Sequence, residues 1–446
     1  MRRLKFNWAA KKSINLSPPA ILVLAYIVFI VIGGLILWLP MSHTGDIGLS
    51  EAIFTSTSAV TVTGLVLADT GSAFTGFGQA VIAMLIQLGG LGLMTTAVLV
   101  LGALGIQVGM PQRLILREEM NQTSLSNLSV LVRIILVIAL VCQTIGAIIL
   151  AFVFVPQYGW NGVWQAVFHS ISAFNNAGFS LHPDSLSQWV GNPLVNITIP
   201  LLFIFGGIGF IVLGDIYQKR SWNRLTLHTK LMLVGTLVLI VWGCVAFGLL
   251  EWSNPETLGT LSTGEKLWAS WFQGVTPRTA GFNTINTAGM HDSSTLLTMT
   301  LMVVGGGSTS TAGGIKVTTL AVLILATVAF FRRRTVLQAF GRSIGLEEIM
   351  KVMALTTISM LLVLSGIFFA SISHDGDFMD LAFEVTSAFG TVGLSRGTTG
   401  ELDSFGRAVI IFTMFIGRVG PLSIGFFLAT RSVPRVKYPS GQIYLG

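Results

Sequence analysis

The sequence predicts an all-α polytopic membrane protein. Four parallel repeats, each a helix, a half-helix, a loop and a second helix, would surround a pseudo-four-fold axis, giving eight transmembrane helices and four re-entrant loops. Three observations predict this. Of 446 residues, 52% are hydrophobic and only 10% are charged, against about 25% charged in soluble domains. Glycine is abundant at 50 residues, as expected where helices pack closely in lipid. One short pattern also recurs four times, as Ser58 to Leu65, Ser172 to Phe179, Gly274 to Phe282 (one residue longer) and Ser387 to Leu394. Its glycines, Gly64, Gly178, Gly281 and Gly393, stand 114, 103 and 112 residues apart. Such spacing is the signature of a repeated unit.

The elements follow in order. Residues 1–20 carry Arg2, Arg3, Lys5, Lys11 and Lys12 and lead into an apolar span at 18–40 with no cleavage pattern, so an uncleaved first helix is expected. A short segment at 51–60 feeds the Gly64 loop, and a span at 79–104 closes repeat one (1–104). Repeat two (105–217) has a polar, amphipathic lead, a span at 128–155, a half-helix at 163–174, the Gly178 loop and a span at 193–216. Repeat three (218–334) has a span at 231–251, a half-helix at 265–275, the Gly281 loop and a span at 296–331. Repeat four (335–430) has a span at 347–371, a half-helix at 378–389, the Gly393 loop and a span at 405–429, and a polar tail follows at 431–446.

Charge sets the orientation. Of 26 Lys and Arg, 20 lie in the N-terminus, the linkers 105–133, 215–230 and 332–351, and the tail. The positive-inside rule then makes both termini cytoplasmic and opens the loops outward. The net charge of +7 comes from these linkers, so it implies no nucleic-acid partner. Cys142 and Cys244 both fall in apolar spans and give neither a disulfide framework nor metal-ligand spacing.

Non-helical backbone inside a membrane is tolerated only where protein buries it or water reaches it. Four such loops on one axis would enclose a narrow polar path. They carry Thr61, Thr63, Asn175, Asn176, Thr279 and Thr391 but no carboxylate. A ring of neutral oxygens suits a dehydrated monovalent cation, as do the negative C-terminal ends of the half-helices. Outer carboxylates such as Asp46, Asp69, Asp184 and Glu401 would concentrate cations at the mouth.

Two features break the pattern. The span 296–331 holds 36 residues, about 54 Å as one helix, far beyond the roughly 30 Å hydrocarbon core. In its middle stands Gly305-Gly306-Gly307-Ser308-Thr309-Ser310-Thr311-Ala312-Gly313-Gly314-Ile315-Lys316, with five glycines and four hydroxyls. It reads as a loop at depth beneath the four loops, or as a close-packing glycine seam. It is not a nucleotide-binding P-loop, because Ile315 precedes Lys316 where that motif needs glycine. The second feature is Arg418, near the centre of 405–429. A charge there costs at least about 2.5–3.5 kcal/mol, so it faces a wet cavity or a partner. It is either an anchor between helices or a fixed positive charge under the path. Arg278 is expected to brace its own loop, with Glu51 or Glu384 as partner, and His169 to serve packing.

At these loops the chain resembles the Trk/Ktr/HKT superfamily of cation transporters over essentially its whole length, and most resembles the Ktr membrane subunit, since repeat one starts almost at once. The resemblance implies that Thr61-Val62-Thr63-Gly64, Asn175-Asn176-Ala177-Gly178, Arg278-Thr279-Ala280-Gly281 and Gly390-Thr391-Val392-Gly393 are the potassium-binding selectivity filter. It implies a gate at residues 305–316 with Arg418. It further implies potassium uptake, activation by sodium, a homodimer with one pore per subunit, and a cytosolic ring of nucleotide-binding (RCK/KTN-type) regulatory subunits. The place would be the bacterial plasma membrane, with no organic cofactor. In plant relatives a serine at the first filter glycine goes with sodium selectivity, so Gly64 favours potassium here.

The alternatives are a sodium-permeable channel or transporter of the same fold, and a carrier for an organic solute. Carriers usually show inverted repeats, whereas these four run parallel. An intramembrane enzyme is disfavoured, since no Ser/His/Asp set, metal cluster or carboxylate pair lies at depth.

Overall fold

The computed structural model describes residues 18–92, 128–334 and 336–420. The first quarter holds α1 (Pro18–Leu37), α2 (Leu49–Thr61), the single turn α3 (Thr70–Ala73) and α4 (Gly76–Leu91). The second holds α5 (Leu128–Tyr158), α6 (Trp160–Phe174), α7 (Pro193–Ile208) and α8 (Phe210–Lys219). The third holds α9 (Leu227–Glu251), α10 (Thr263–Val275), α11 (Asp292–Val303) and α12 (Val317–Phe331). The fourth opens with β1 (Leu337–Ala339) and β2 (Arg342–Ile344), followed by α13 (Leu346–Ala370), α14 (Phe378–Gly390), the turn α15 (Thr398–Glu401) and α16 (Ser404–Val419).

Polar residues at the starts of these helices satisfy the amides that have no intrahelical partner. Thr75 caps α4, Asn192 caps α7, Thr226 caps α9 and Asp377 caps α14. Ser262 and Glu265 close a reciprocal capping box on α10. Asp403 caps α16 through the Gly406 amide, at 2.7 Å. That bond holds the Asp403 carboxyl below its usual range.

The packing is inverted relative to a soluble protein. The long helices α5, α9 and α13 are each long and apolar enough to cross a membrane, and they expose Phe152, Leu249 and Met360. The four short helices α2, α6, α10 and α14 lie inside, and polar residues beyond their first turns are buried, among them Thr55, Ser56, Thr57, Ser58 and Glu384. Backbone and side-chain acceptors satisfy most of them. Ser56 donates to Ile30 O (2.8 Å) and Ser170 to Gln143 O (2.6 Å), tying short helices to long ones. Apolar burial drives little helix association in lipid, so such bonds and close approach carry it.

Each short helix packs against long helices of its own quarter, and the last long helix around it comes from the quarter before. Thus α4 packs on α6, α7 on α10, α11 on α14, and α16 returns to pack on α2. The contact order is cyclic and closes on itself.

Four expectations need correction. The span 193–216 is not one helix, because α7 and α8 meet at Gly209 with an 89° bend. Arg418 does not sit mid-helix, because α16 ends at Val419 and Gly420 adopts φ 88°. The chain is not purely helical, since β1 and β2 form an antiparallel hairpin around Phe340 and Gly341, both at positive φ. The break in 296–331 falls where expected, between α11 and α12, but α11 begins earlier, at Asp292. Parts of the expected spans 79–104 and 405–429, and the tail 431–446, lie outside the described residues.

Candidate functional site

The site begins at the C-terminal ends of the short helices. Each runs into a left-handed residue: Val62 (φ 57°), Asn176 (φ 59°), Thr279 (φ 71°) and Thr391 (φ 50°). Two residues on, each loop has a positive-φ glycine: Gly64 (94°), Gly178 (70°), Gly281 (78°) and Gly393 (93°). The turns are held by backbone bonds back to the helix, from Thr63 N to Ser58 O (2.8 Å), Ala177 N to Ser172 O (2.8 Å), Ala280 N to Thr276 O (3.0 Å) and Val392 N to Ser387 O (2.9 Å). Three of the left-handed residues are not asparagine, and Val62, Thr279 and Thr391 are β-branched, so each is held against about 1–2 kcal/mol of local preference. Backbone strain of this kind gathers at functional positions.

The glycines are required by their neighbours as well as by φ. A Cβ on Gly64 would stand 2.4 Å from Ala177 O, one on Gly178 3.1 Å from Ala280 O, one on Gly281 2.2 Å from Val392 O, and one on Gly393 2.2 Å from Thr63 O. Each loop's carbonyl therefore occupies the space beside the preceding loop's glycine, with the first loop's carbonyl beside the fourth loop's glycine, and the order runs once around a closed ring. All four glycines line the floor of a cavity of about 640 Å³ whose walls carry Asp69, His182, Asp184 and Arg396. Arg396 pairs with Asp380 and donates to Thr295 Oγ1 (2.8 Å), joining the third and fourth quarters at this mouth.

Residues 304–316 lie under the ring. Gly313 abuts Thr391, where a Cβ would stand 2.1 Å from Oγ1, and Gly305 abuts Thr279. Thr311 Oγ1 donates to Asn176 Oδ1 (2.7 Å), and Asn176 Nδ2 donates to Thr279 Oγ1 (3.1 Å). The segment is docked on the α7–α8 bend by Gly307 N to Gly207 O (2.7 Å), Thr311 N to Gly206 O (3.2 Å) and Phe210 N to Thr309 O (3.0 Å). Ser310 Oγ returns to Gly307 O (2.7 Å) and Lys316 Nζ to Ala312 O (2.8 Å). Beneath lies a second cavity of about 550 Å³, lined by Ser308, Lys316 and Arg418 among others. Arg418 donates to Thr311 O, Gly89 O and Gly90 O. It thus clips the segment to the end of α4.

A motif that sequence reasoning passed over explains these helix ends. Gly92, Gly209 and Gly420 take nearly one conformation (φ 89°, 104°, 88°; ψ 134°, 134°, 138°). Three residues before each stands Gly89, Gly206 or Gly417, where a Cβ would fall about 2 Å from Val60 O (2.0 Å), Phe174 O (1.9 Å) or Phe389 O (2.1 Å). The strings Gly89-Gly90-Leu91-Gly92, Gly206-Gly207-Ile208-Gly209 and Gly417-Arg418-Val419-Gly420 were visible. Arg418 holds the place of Gly90 and Gly207.

Not every expected residue joins the ring. Asn175 turns away, donating to Gln87 Oε1 and Ile171 O (both 2.8 Å). Arg278 meets neither Glu51 nor Glu384. It reaches Thr236 Oγ1 at 3.4 Å, while Glu51 accepts from Gly48 N and Glu384 from Ser395 and Thr399. The ring packs Arg278 toward α9, out of line with either carboxylate. Thr61 Oγ1 bonds Thr57 O (2.7 Å) and Thr63 Oγ1 (2.8 Å). Val62, Ala177, Ala280, Gly390 and Val392 are buried within the turns. His169 is enclosed by Phe154 and His182 and bonds Ser180 Oγ (3.0 Å).

Comparison with known proteins gives concordant matches. The TrkH family model, a cation transport protein, matches residues 8–438. The Ktr system potassium uptake protein B of Bacillus subtilis is 45% identical over 98% of this chain and 98% of its own length. The potassium/sodium uptake protein NtpJ of Enterococcus hirae is 38% identical over 97% and 98% respectively. Among solved structures, the potassium transporter TrkH from Vibrio parahaemolyticus superposes with a TM-score of 0.72 at 20% identity, covering 94% of this chain and 86% of that one.

Proposed function

The chain belongs to the TrkH family of cation transport proteins, and from that premise we propose that it is the pore-forming membrane subunit of a potassium uptake system. The observation that carries the reading is the closed ring in which each loop's carbonyl stands beside the preceding loop's glycine. The repeats 1–104, 105–217, 218–334 and 335–430 each supply one loop. A K+ ion entering from the outer cavity exchanges its water for carbonyls of Thr63, Ala177, Ala280 and Val392, in a path built by Thr61–Gly64, Asn175–Gly178, Arg278–Gly281 and Gly390–Gly393. Carbonyl dipoles select by their number and field, and the C-terminal ends of four short helices add negative potential.

Residues 305–316 are the gate in this reading. They sit against Asn176, Thr279 and Thr391, so a permeating ion must pass them. Arg418 is both the clip that holds this segment and a fixed positive charge under the ring. Opening is under control of a cytosolic nucleotide-binding ring, which acts on α12 through Arg332, Arg333 and Arg334 at its end. The subunit works as a homodimer in the bacterial plasma membrane, with both termini cytoplasmic, and sodium activates it.

A relative named as a potassium/sodium uptake protein, 38% identical, favours a second reading in which sodium also permeates. One experiment tests both: purified parent protein and a variant lacking 306–313 in liposomes, with potassium, rubidium and sodium influx compared. Potassium and rubidium flux well above sodium flux supports the first reading. Equal sodium flux supports the second, and no cation flux through either protein overturns both.

A further inference from the structure

The recurring pattern contains a hydroxyl that the ion path as described does not use. Ser58, Ser172, Thr276 and Ser387 occupy the last turn of α2 and α6, the residue just past α10, and α14, and all are fully buried. None reaches a neighbouring quarter. Each instead spans its own loop, from the helix end to the glycine or to the residue after it. Gly64 N donates to Ser58 Oγ (3.0 Å), and Gly393 N donates to Ser387 Oγ (3.1 Å). Ser172 Oγ donates to Phe179 O (2.8 Å), and Thr276 Oγ1 donates to Phe282 O (2.6 Å).

The direction of these bonds matters because the peptide unit is planar and trans, with its N–H and C=O pointing opposite ways. An amide of Gly64 drawn back to Ser58 turns the Thr63 carbonyl away from α2, toward Gly393, where it is found. Ser387 does the same for the Val392 carbonyl, which faces Gly281. In the other two loops the hydroxyl holds the carbonyl that follows the glycine. There the opposite end of the Phe282–Asn283 peptide donates outward, from Asn283 N to Ser185 Oγ (3.2 Å). These carbonyls lie past the ring, toward the outer cavity, whose lining includes Phe179 and Asn283.

We propose that Ser58 and Ser387 are positioning residues for selectivity, because each sets the peptide plane whose carbonyl enters the ring. Ser172 and Thr276 hold the mouth rather than the ring. The ring is thus nearly four-fold in backbone but not in how its carbonyls are pinned, with the acceptor hydroxyls on the adjacent first and fourth loops. Removing an acceptor leaves a buried amide without a partner, and the cheapest escape is rotation of that peptide, which takes the carbonyl off the axis.

This inference rests on the ring being the ion filter, and the test separates the two. Gly64→Ser, Ser58→Ala, Ser387→Ala, Ser172→Ala and Thr276→Val are reconstituted and compared for potassium-to-sodium flux ratio per folded molecule. Ser56→Ala is the control. Ser56 is equally buried on α2, but its hydroxyl bonds Ile30 O outside the ring. The expected result is a ratio lowered at least about fivefold in Ser58→Ala and Ser387→Ala. Smaller losses are expected in Ser172→Ala and Thr276→Val, and none in Ser56→Ala. A changed ratio in Gly64→Ser with an unchanged ratio in Ser58→Ala and Ser387→Ala overturns this inference and leaves the filter reading standing. An unchanged ratio in all the variants overturns the filter reading itself. Equal losses at all four hydroxyls overturn the division between the first and fourth loops and the other two. If an alanine variant fails to fold, Ser58→Cys and Ser387→Cys keep the volume, weaken the acceptor, and are judged by the same ratio.

Discussion

Gly64→Ser perturbs the ring directly, and its size can be worked from local geometry. Gly64 sits at φ 94°, and a Cβ there would stand 2.4 Å from Ala177 O and 3.0 Å from the Gly178 Cα. Ordinary contact begins at 3.4 Å, so Ala177 O must retreat by about 1 Å or the Gly64 backbone must rotate. Retreat is resisted because Ala177 N is bonded to Ser172 O at 2.8 Å and Ala177 is fully buried. The conformational strain of a side chain at such φ is about 1–3 kcal/mol. Whichever loop yields, a ring carbonyl moves by a large fraction of an ångström. If the K+ preference of the ring then falls by about 1.4 kcal/mol, the potassium-to-sodium ratio falls about tenfold. The assay is paired flux in liposomes, with thermal unfolding of the same preparation to show that the variant is folded. A folded variant whose ratio stays within about twofold of the parent would refute the placement of Gly64 in the filter, since about 0.4 kcal/mol is too little for a displaced ligand.

Three further outcomes are expected below the ring. Arg418→Gln removes the donors that clip Thr311 O to Gly89 O and Gly90 O, and should raise flux per folded molecule; lost thermal stability with unchanged flux would make Arg418 an anchor alone. Deleting 306–313 should raise flux and make it insensitive to the nucleotide state of the cytosolic partner, and low flux from a folded, still nucleotide-dependent variant would place the gate elsewhere. Gly209→Ala puts a Cβ 2.6 Å from Ser308 O at φ 104°, so it should undock the same segment without touching the ring. It is expected to raise flux with the selectivity ratio intact, and a changed ratio with unaltered flux would count against separate gate and filter.

The sequence made the backbone legible where one residue type answers one physical need. The loop glycines stand where φ and a neighbouring carbonyl both forbid a side chain, and excess helix length together with the run of glycines and hydroxyls located the break at 305–316. The α7–α8 bend was harder to read, because Gly206, Gly207 and Gly209 stand in an otherwise apolar run where glycine also serves close packing in lipid. The bend is also bonded to Thr309, about a hundred residues away, and no local pattern encodes that partner. The hairpin at 337–344 was missed for another reason. Its turn uses Phe340-Gly341 in place of Asn-Gly, the stronger hairpin signal, and its strands are only three residues long. Side-chain directions were least legible. Charge logic pairs Arg278 with a carboxylate, yet Thr236 is what α9 presents. Asn175 and Asn176 are adjacent in sequence, but one binds Gln87 and the other reaches Thr279 and Thr311.

Among the described residues, the helix ends set residues 305–316, the gate in our reading, apart from the other three quarters. In the first, second and fourth quarters the second long helix comes within Cβ contact of a carbonyl at the end of a short helix, at Gly89, Gly206 and Gly417, and turns at a positive-φ glycine three residues on. In the third quarter the corresponding stretch is Gly305-Gly306-Gly307, and helix does not resume until Val317. The extra backbone has to satisfy its own amides at depth. It does so on carbonyls freed by the neighbouring bend, at Gly206 and Gly207, and its Thr311 carbonyl is taken by Arg418. The inserted segment and the charge that holds it are thus mutually required. A buried guanidinium needs carbonyls without helical partners, and helix ends and non-helical segments supply them. Those partners are hydrogen bonds rather than buried apolar surface, and segments held this way open at low free energy. In the gating reading proposed above, movement of α12 releases the segment while the ring above, fixed by glycine contacts and buried hydroxyls, keeps its shape.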